Sequence, residues 1–262
     1  MDRALAARGL APSRSAAQAW IRDGQVLVEG LVETRPARGV SPGARIEVLA
    51  GAPRFVSRGG TKLQAALDAF GVDPHGRVAA DVGASTGGFT HCLLERGALR
   101  VHAIDVGRDQ LHERLRHDPR VVVREGVDAR SLAGLGEPVT LVAIDVAFVS
   151  ARLLLPAVRA WLAPGADLLL LVKPQFEAGP GRAGRDGVVR DPRVHAEVLR
   201  AALDTLTGLG LSPLGVVPSP IRGGSGNVEF LAHARAGAAS APAWAWESAI
   251  ADCVRCARAA RT

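Results

Sequence analysis

Asp81-Val82-Gly83-Ala84-Ser85-Thr86-Gly87-Gly88-Phe89 is the stretch that decides how this chain folds. It follows an apolar, strand-like run, Val78–Asp81, and opens a helix-like run near Gly88–Arg96. Glycines between a strand and a helix let the backbone approach a ligand and leave free N–H groups at the helix start. Asp105 closes the next strand, Arg100–Asp105, where a carboxylate suits the two hydroxyls of a ribose. Gly83 is followed by Ala84 and Ser85, so the spacing is not the Gly-x-Gly-x-x-Gly of dinucleotide sites. It also lacks the Gly-Lys-Ser/Thr ending of a phosphate loop. The stretch predicts a cofactor without a pyrophosphate, such as S-adenosylmethionine, and disfavours a nicotinamide dehydrogenase. A purely structural glycine turn is the plainer alternative. Asp128, past a third strand, reads nearly as well as a surface-turn residue as it does as an adenine contact.

Outward from this stretch, strand and helix patterns alternate. A short amphipathic helix, Lys62–Phe70, precedes it. Strands follow at Val121–Arg124, Leu141–Asp145 and the fully apolar Asp167–Val172, with helices near Gln110–His117 and Ala151–Leu162. Pro174–Arg190 holds six glycines or prolines and reads as a loop. Asp191-Pro192 opens a long helix to about Leu209, with Asp favourable at the N-cap and Pro at the first helical position. Leu211–Val217 and Asn227–Ala234 read as two last strands, and the Ala-rich residues 236–262 as a tail with a terminal helix. Such repeating units predict a parallel sheet covered by helices on both faces.

The first 50 residues read as a separate small module. Leu5, Leu10, Ala17 and Ile21 give two short helices; Ser13, after Pro12, is a candidate N-cap, and Gly24 a stop signal. Val26, Val28, Ile46 and Val48 then alternate as in short strands. Gly51-Ala52-Pro53 reads as a linker. The expected organisation is a module at 1–50, a linker at 51–61, an α/β domain at 62–235 and a tail at 236–262.

With 48% hydrophobic and 22% charged residues the chain should build a sizeable core rather than remain disordered. No apolar run approaches the roughly 20 residues of a membrane helix. MDRALAARGL shows no signal-peptide pattern, and three cysteines make no disulfide framework, so the cytoplasm is expected. The net charge of +6 favours a polyanionic partner, most simply nucleic acid.

Only two of the 32 basic residues are lysines, Lys62 and Lys173; Tyr is absent and Asn227 is the one asparagine. A coding bias that turns surface lysines into arginines spares those whose compact ammonium is needed. Lys173, after Asp167–Val172, and Asp145, after the preceding strand, should face the crevice of the glycine turn, because ligands of open α/β sheets sit at the carboxyl ends of strands. Glu229 lies in the last strand pattern after Gly223-Gly224-Ser225-Gly226, and Lys62 opens the helix before the first strand. Two ammonium groups held by two carboxylates suit proton removal from a hydroxyl. Solvated charges at a loop mouth are the bland alternative.

Together these residues resemble a family. Lys62, Asp145, Lys173 and Glu229 fall in the order of the lysine–aspartate–lysine–glutamate tetrad of FtsJ-related 2′-O-ribose RNA methyltransferases. Val56-Ser57-Arg58-Gly59-Gly60-Thr61-Lys62-Leu63, Asp81–Phe89, Asp145-Val146-Ala147-Phe148-Val149-Ser150, Val172–Phe176 and Ser225-Gly226-Asn227-Val228-Glu229-Phe230 resemble the TlyA family of ribosomal RNA cytidine-2′-O-methyltransferases, some of which carry the name haemolysin. Residues from Arg8 to Gly30 resemble the S4 RNA-binding module of that family. The resemblance covers about residues 2–235. It departs from the family at Val146-Ala147, more often Leu-Ser, and at Asp128, usually Asn.

The resemblance implies a Rossmann-like S-adenosylmethionine-dependent methyltransferase sheet behind a small α+β S4-like domain. It implies catalysis by Lys62, Asp145, Lys173 and Glu229, without a metal. The methyl donor would be held by Gly83, Ala84, Ser85, Thr86, Gly87, Gly88, Asp105, Asp128, Asp145 and Phe148. RNA would be docked by Arg3, Arg8, Arg14, Arg22 and Arg58. Broader-specificity relatives carry a longer basic N-terminus, whereas little precedes Asp2, which implies large-subunit RNA as the acceptor. Two other readings stand beside this one. A cytolysin requires an export signal and a membrane-active segment, and neither is visible. A non-catalytic RNA-binding or assembly factor would use the same two modules. Cys253-Val254-Arg255-Cys256, with only Cys92 elsewhere, reads as two helix-face residues rather than a metal site.

Overall fold

The apolar spacing at the start of the chain closes on itself. Helices α1 (Asp2–Ala7) and α2 (Arg14–Arg22) bury Leu5, Ala17 and Ile21 together with Val26 and Val28 of strand β1 (Val26–Val28) and Ile46 of β3 (Ile46–Val48). Strand β2 (Leu31–Glu33) completes an antiparallel sheet of order β2-β1-β3. Ser13 Oγ accepts from Ala16 N at 3.1 Å, satisfying one of the free donors at the start of α2. This computed structural model describes residues 1–11, 13–22, 25–33, 35–48, 54–223, 225–237 and 245–259. Pro12, Gly24 and Gly51-Ala52-Pro53 lie outside the described residues. Two compact units form, Met1–Arg58 and Gly59–Thr262.

The second unit starts with α3 (Gly59–Phe70), three residues ahead of the expected helix. It continues through β4 (Val78–Val82), α4 (Gly88–Glu95), β5 (Arg100–Asp105), α5 (Glu113–Arg116), β6 (Val121–Glu125) and β7 (Val139–Ile144). Then come α6 (Leu155–Trp161), β8 (Leu162–Val172), α7 (Pro174–Glu177), α8 (Pro192–Gly208), β9 (Leu211–Pro218), β10 (Phe230–Ala236) and α9 (Ala245–Ala259). Asp191 caps α8 by accepting from Arg193 N, with Pro192 at the first helical position.

Seven strands form one sheet of order β6-β5-β4-β7-β8-β10-β9. The pairs from β6 to β8 are parallel, but β10 runs antiparallel to both β8 and β9, so the sheet is not wholly parallel as expected. The physical reason lies in residues 219–229, whose described residues contain no helix to carry a crossover and so turn the chain back on itself. Glu229 consequently sits just before β10 rather than inside a strand. From β4 the chain moves out to β5 and β6, then crosses back to β7 on the other side. This makes the carboxyl ends of β4 and β7 a topological switch point, where ligands of open α/β sheets bind.

Ala80, Val82, Val142, Ile144, Leu168 and Leu170 share one core with α6, α8 and α9. The alternate residues Ala79, Leu141, Ala143, Leu169 and Leu171 are buried too, so the sheet is covered on both faces. α9 buries Ile250, Cys253, Val254 and Ala257 in that core. The residues read as a tail therefore contain a helix built into the second unit.

Candidate active site

The glycine turn is held from two sides. Gly83 has φ +87°, and a Cβ there would come within 2.3 Å of the Asp145 carbonyl oxygen. Only glycine allows β4 to pass so close to the end of β7, where Asp145 N also donates to Val82 O at 2.9 Å. Asp105 braces the other side: one carboxylate oxygen accepts from Ser85 N at 2.8 Å, the other from Gly107 N at 2.7 Å. Each oxygen keeps lone-pair capacity for a hydroxyl.

In front of the turn lies a cleft of about 500 Å3. Gly83, Ser85, Asp105, Asp128, Asp145 and Phe148 line it; Ala84, Thr86, Gly87 and Gly88 do not, and form the turn and helix start beside it. Asp128 reaches the cleft but is already engaged. It accepts from Arg130 N at 2.9 Å and from the Arg130 guanidinium at 2.6 Å, which holds its pKa below the ordinary carboxylate value. The sequence reading missed Val106, Gln110, Val127, Arg130 and Val146, which also line the cleft. Val106, 71% exposed straight after a strand, carries the kind of signal that finds such residues: an apolar side chain left open at a strand's carboxyl end.

Lys173 and Asp145 meet at the ends of β8 and β7, Nζ to Oδ1 at 2.5 Å. Phe230 pairs with Val172 in an antiparallel ladder, so Glu229 comes opposite Lys173. Glu229 forms an ion pair with Lys62 of α3, and both are buried. A Cβ at Gly223 would fall 2.4 Å from Glu229 Oε1, so a side chain at 223 would displace that carboxylate. The four residues thus form two acid–ammonium pairs brought together by the β8–β10 register.

An aromatic step adjoins them. Phe148, with φ +65° and 92% exposed, lies 5.4 Å ring to ring from Phe176, whose centroid is 6.0 Å from Lys173 Nζ. Bulky residues rarely adopt such a φ, and that kind of strain collects at functional sites. Glu177 ties the two loops together, accepting from Ser150 Oγ at 2.6 Å, Ala151 N at 2.7 Å and Arg152 Nε at 3.0 Å.

Asp81, two residues before Gly83, is fully buried. Its Oδ2 accepts from Thr90 N at 2.8 Å and Thr90 Oγ1 at 2.7 Å, while Oδ1 has no hydrogen-bond partner among the described residues. Burial pushes its pKa up to about 7, and the charges of Asp145 and Asp105 push the same way.

In the first unit, Arg3 is exposed. Arg14 is about half exposed and pairs with Asp2 at 3.0 Å. Arg8 donates to the carbonyls of Ser41, Pro42 and Ala44, so part of its donor fork holds the module itself together. Arg58 ends the unit, partly exposed, and the side chain of Arg22 lies outside the described residues. On α9, Cys253 is buried and Cys256 exposed; among the described residues no three His, Cys, Asp or Glu cluster as metal ligands. Among them, too, no helix is long and apolar enough to cross a membrane.

Comparison with known proteins agrees with this geometry. The S4 domain family matches residues 2–46 and the FtsJ-like methyltransferase family residues 55–236. The 16S/23S rRNA (cytidine-2′-O)-methyltransferase TlyA of Mycobacterium tuberculosis is 46% identical over 233 residues, 88% of this chain and 87% of that protein. Hemolysin A of Brachyspira hyodysenteriae is 36% identical over 236 residues, 89% of this chain and 98% of that one. A solved structure, "Putative hemolysin from Streptococcus thermophilus", is 35% identical with a TM-score of 0.78, covering 99% of this chain and 95% of its own. With its sheet order, its glycine turn and these matches, the chain belongs to the FtsJ-like methyltransferase family and carries an S4 domain at its N-terminus.

Proposed function

We propose that the protein transfers the methyl group of S-adenosylmethionine to the 2′-oxygen of a cytidine ribose in ribosomal RNA, in the cytoplasm, with large-subunit RNA the first acceptor to test. The observation that carries this reading is the Lys173–Asp145 pair at 2.5 Å, beside the cleft shaped by Gly83 and Asp105. The cleft suits a cationic donor bearing a ribose. Ile104, Val106 and Val127 give it apolar walls, Asp105 and Asp145 give it negative charge, and Asp81, whose Oδ1 has no partner among the described residues, lies two residues from its glycine wall. The relative from M. tuberculosis is named for this chemistry on both 16S and 23S RNA.

S-adenosylmethionine supplies an electrophilic methyl carbon, and a ribose oxygen that gives up its proton becomes the better nucleophile toward it. Lys173 Nζ passes one of its protons to Asp145 or to water as it takes the 2′-proton, and Asp145 fixes where Nζ stands. Lys62 and Glu229 hold each other one register step away and keep a second ammonium near the developing oxyanion. Most of the acceleration comes from holding oxygen and methyl carbon in line. Arg3, Arg8, Arg14, Arg22 and Arg58 would contact phosphates, positioning the RNA with little sequence information. A cytidine in folded RNA must be turned out of its helix to reach the cleft.

The test is transfer of a labelled methyl group to isolated small subunits, large subunits and free rRNA, followed by mapping of the modified ribose. A single labelled cytidine 2′-oxygen is expected; no transfer to any RNA overturns the proposal. Lys173→Ala should keep S-adenosylmethionine binding and lower transfer by roughly 10²–10⁴-fold, the usual worth of a general base. Lost donor binding with a residual transfer rate would contradict the role given to Lys173.

A further inference from the structure

The segment after β5 supplies Val106 and Gln110 to the cleft, and an acid outside the cleft holds it. Glu125, the last residue of β6, pairs in register with Asp105. Its Oε1 accepts from Gln110 N at 2.8 Å and Leu111 N at 2.9 Å. Its Oε2 accepts from Asp109 N at 3.0 Å and Arg116 Nη2 of α5 at 2.7 Å. Three successive backbone N–H groups thus converge on one carboxylate, a backbone nest around an anion supplied by the neighbouring strand. Asp109 is one of the few non-glycine residues with positive φ, +55°, the conformation that lets consecutive N–H groups turn to one side. With four donors, both oxygens are fully used.

What the nest fixes is the inner wall of the donor cleft. Leu111 and Leu115 lie under the glycine turn so closely that a Cβ on Gly87 would come within 2.3 Å of Leu115 Cδ1 and 2.8 Å of Leu111 Cδ1. His112 N donates to Thr86 O at 3.2 Å, a second tie between the segment and the turn. We propose that Glu125 is a positioning residue of the methyl-donor site, gathering residues 109–111 and α5 so that the wall carrying Val106 and Gln110 is formed before the donor arrives. This inference rests on the reading of the cleft as an S-adenosylmethionine site. Glu125 touches neither donor nor RNA in that arrangement. Burial works against its charge, yet the N–H groups of Leu111, Gln110 and Asp109 and the Arg116 guanidinium hold its pKa down at about 2.

If the wall is disordered in most molecules, the apparent affinity for the donor falls by the fraction still competent. Glu125→Gln keeps the shape but turns an NH2 toward backbone donors. It should raise the KM for S-adenosylmethionine about ten-fold, as if roughly one molecule in ten kept the wall formed. Its kcat and its KM for RNA should stay within two-fold of the wild type. Arg116→Gln removes one donor of four and should raise the same KM by a smaller factor. A merely structural role would lower the melting temperature or the active fraction, and hence kcat, and leave the donor KM unmoved. An unchanged donor KM in Glu125→Gln overturns the proposal. Should that variant fail to fold, an unchanged donor KM in Arg116→Gln overturns it alone. Calorimetric titration of the wild type with S-adenosylmethionine separates the two levels: no binding there fails the donor-site reading, whereas wild-type binding matched by both variants fails only the role of Glu125.

Discussion

Asp81 is an acid that the fold holds at a cost. A carboxylate with one oxygen unpartnered and no exposure is poorly solvated when charged, and Asp105 and Asp145 add repulsion. Its pKa stands near 7 in the folded chain against an ordinary 3.8, so between those values the folded state keeps a proton that the unfolded state releases. Stability contributed at Asp81 therefore falls as pH rises from about 4 to 7 and stays low above that, a difference on the order of 4 kcal/mol. Asp81→Asn mimics the protonated form. Thermal melts should show it more stable than the wild type at pH 8, by several °C, and equal near pH 4; an offset that does not change with pH would remove this account. None of this was legible in the sequence, where Asp81 is only the first letter of a glycine motif. The lysines were legible for the opposite reason. In a chain that writes its cations as arginine, Lys62 and Lys173 stand out, and both enter buried or nearly buried ion pairs with acids from distant segments. Which acid each lysine takes was not legible, because the β8–β10 register decides it.

Periodicity identified most strands to within two residues; the continuous apolar run Leu168–Val172 has few other places to go, although β8 starts at Leu162, five residues ahead of the expected Asp167. Direction was harder. β10 reads like its neighbours, and only the lack of a helix among the described residues between 218 and 230 shows that it must return antiparallel. α9 lies where a terminal helix was expected; its Ala and Arg content hid only the attachment, for Ile250, Cys253, Val254 and Ala257 fall at helical spacing and are buried against the core shared with α8. Arg200 of α8 meets Glu247 of α9 at 2.5 Å, but both side chains are largely exposed, and such pairs contribute little. The burial carries the attachment. Ile250→Ala, at 1% exposure, should cost roughly 2–5 kcal/mol in chemical denaturation. S-adenosylmethionine affinity of the folded fraction should be unchanged, because α9 supplies no residue to the cleft. A cost below about 0.5 kcal/mol, the range of surface substitutions, would mean that the helix is only loosely attached.

The chain divides its labour by charge as well as by fold. Residues 1–58 hold nine arginines against five acids, leaving +4 of the chain's +6 on the smaller unit. The larger unit has its own core and the whole cleft, which Asp105, Asp128 and Asp145 line. An anionic polymer is therefore attracted by the first unit, while a cationic donor is attracted by the second. Phosphate contacts release counterions, so each arginine that makes one adds about 0.9 to the slope of log affinity against log salt. Arg3, exposed and without an acidic partner among the described residues, should contribute more of that slope than Arg14, already paired with Asp2, or Arg8, already donating to three carbonyls. Arg3→Ala should lower the slope for ribosomal RNA by about one and weaken binding to unrelated RNA equally, whereas Arg8→Ala should act first on the melting of residues 1–58. Both variants should bind S-adenosylmethionine as the wild type does. The measurement is RNA affinity at four or more salt concentrations beside donor titrations. A wild-type slope in Arg3→Ala would take that residue out of the RNA-docking face, and a loss of donor binding would show that the two kinds of attraction are not divided between the units.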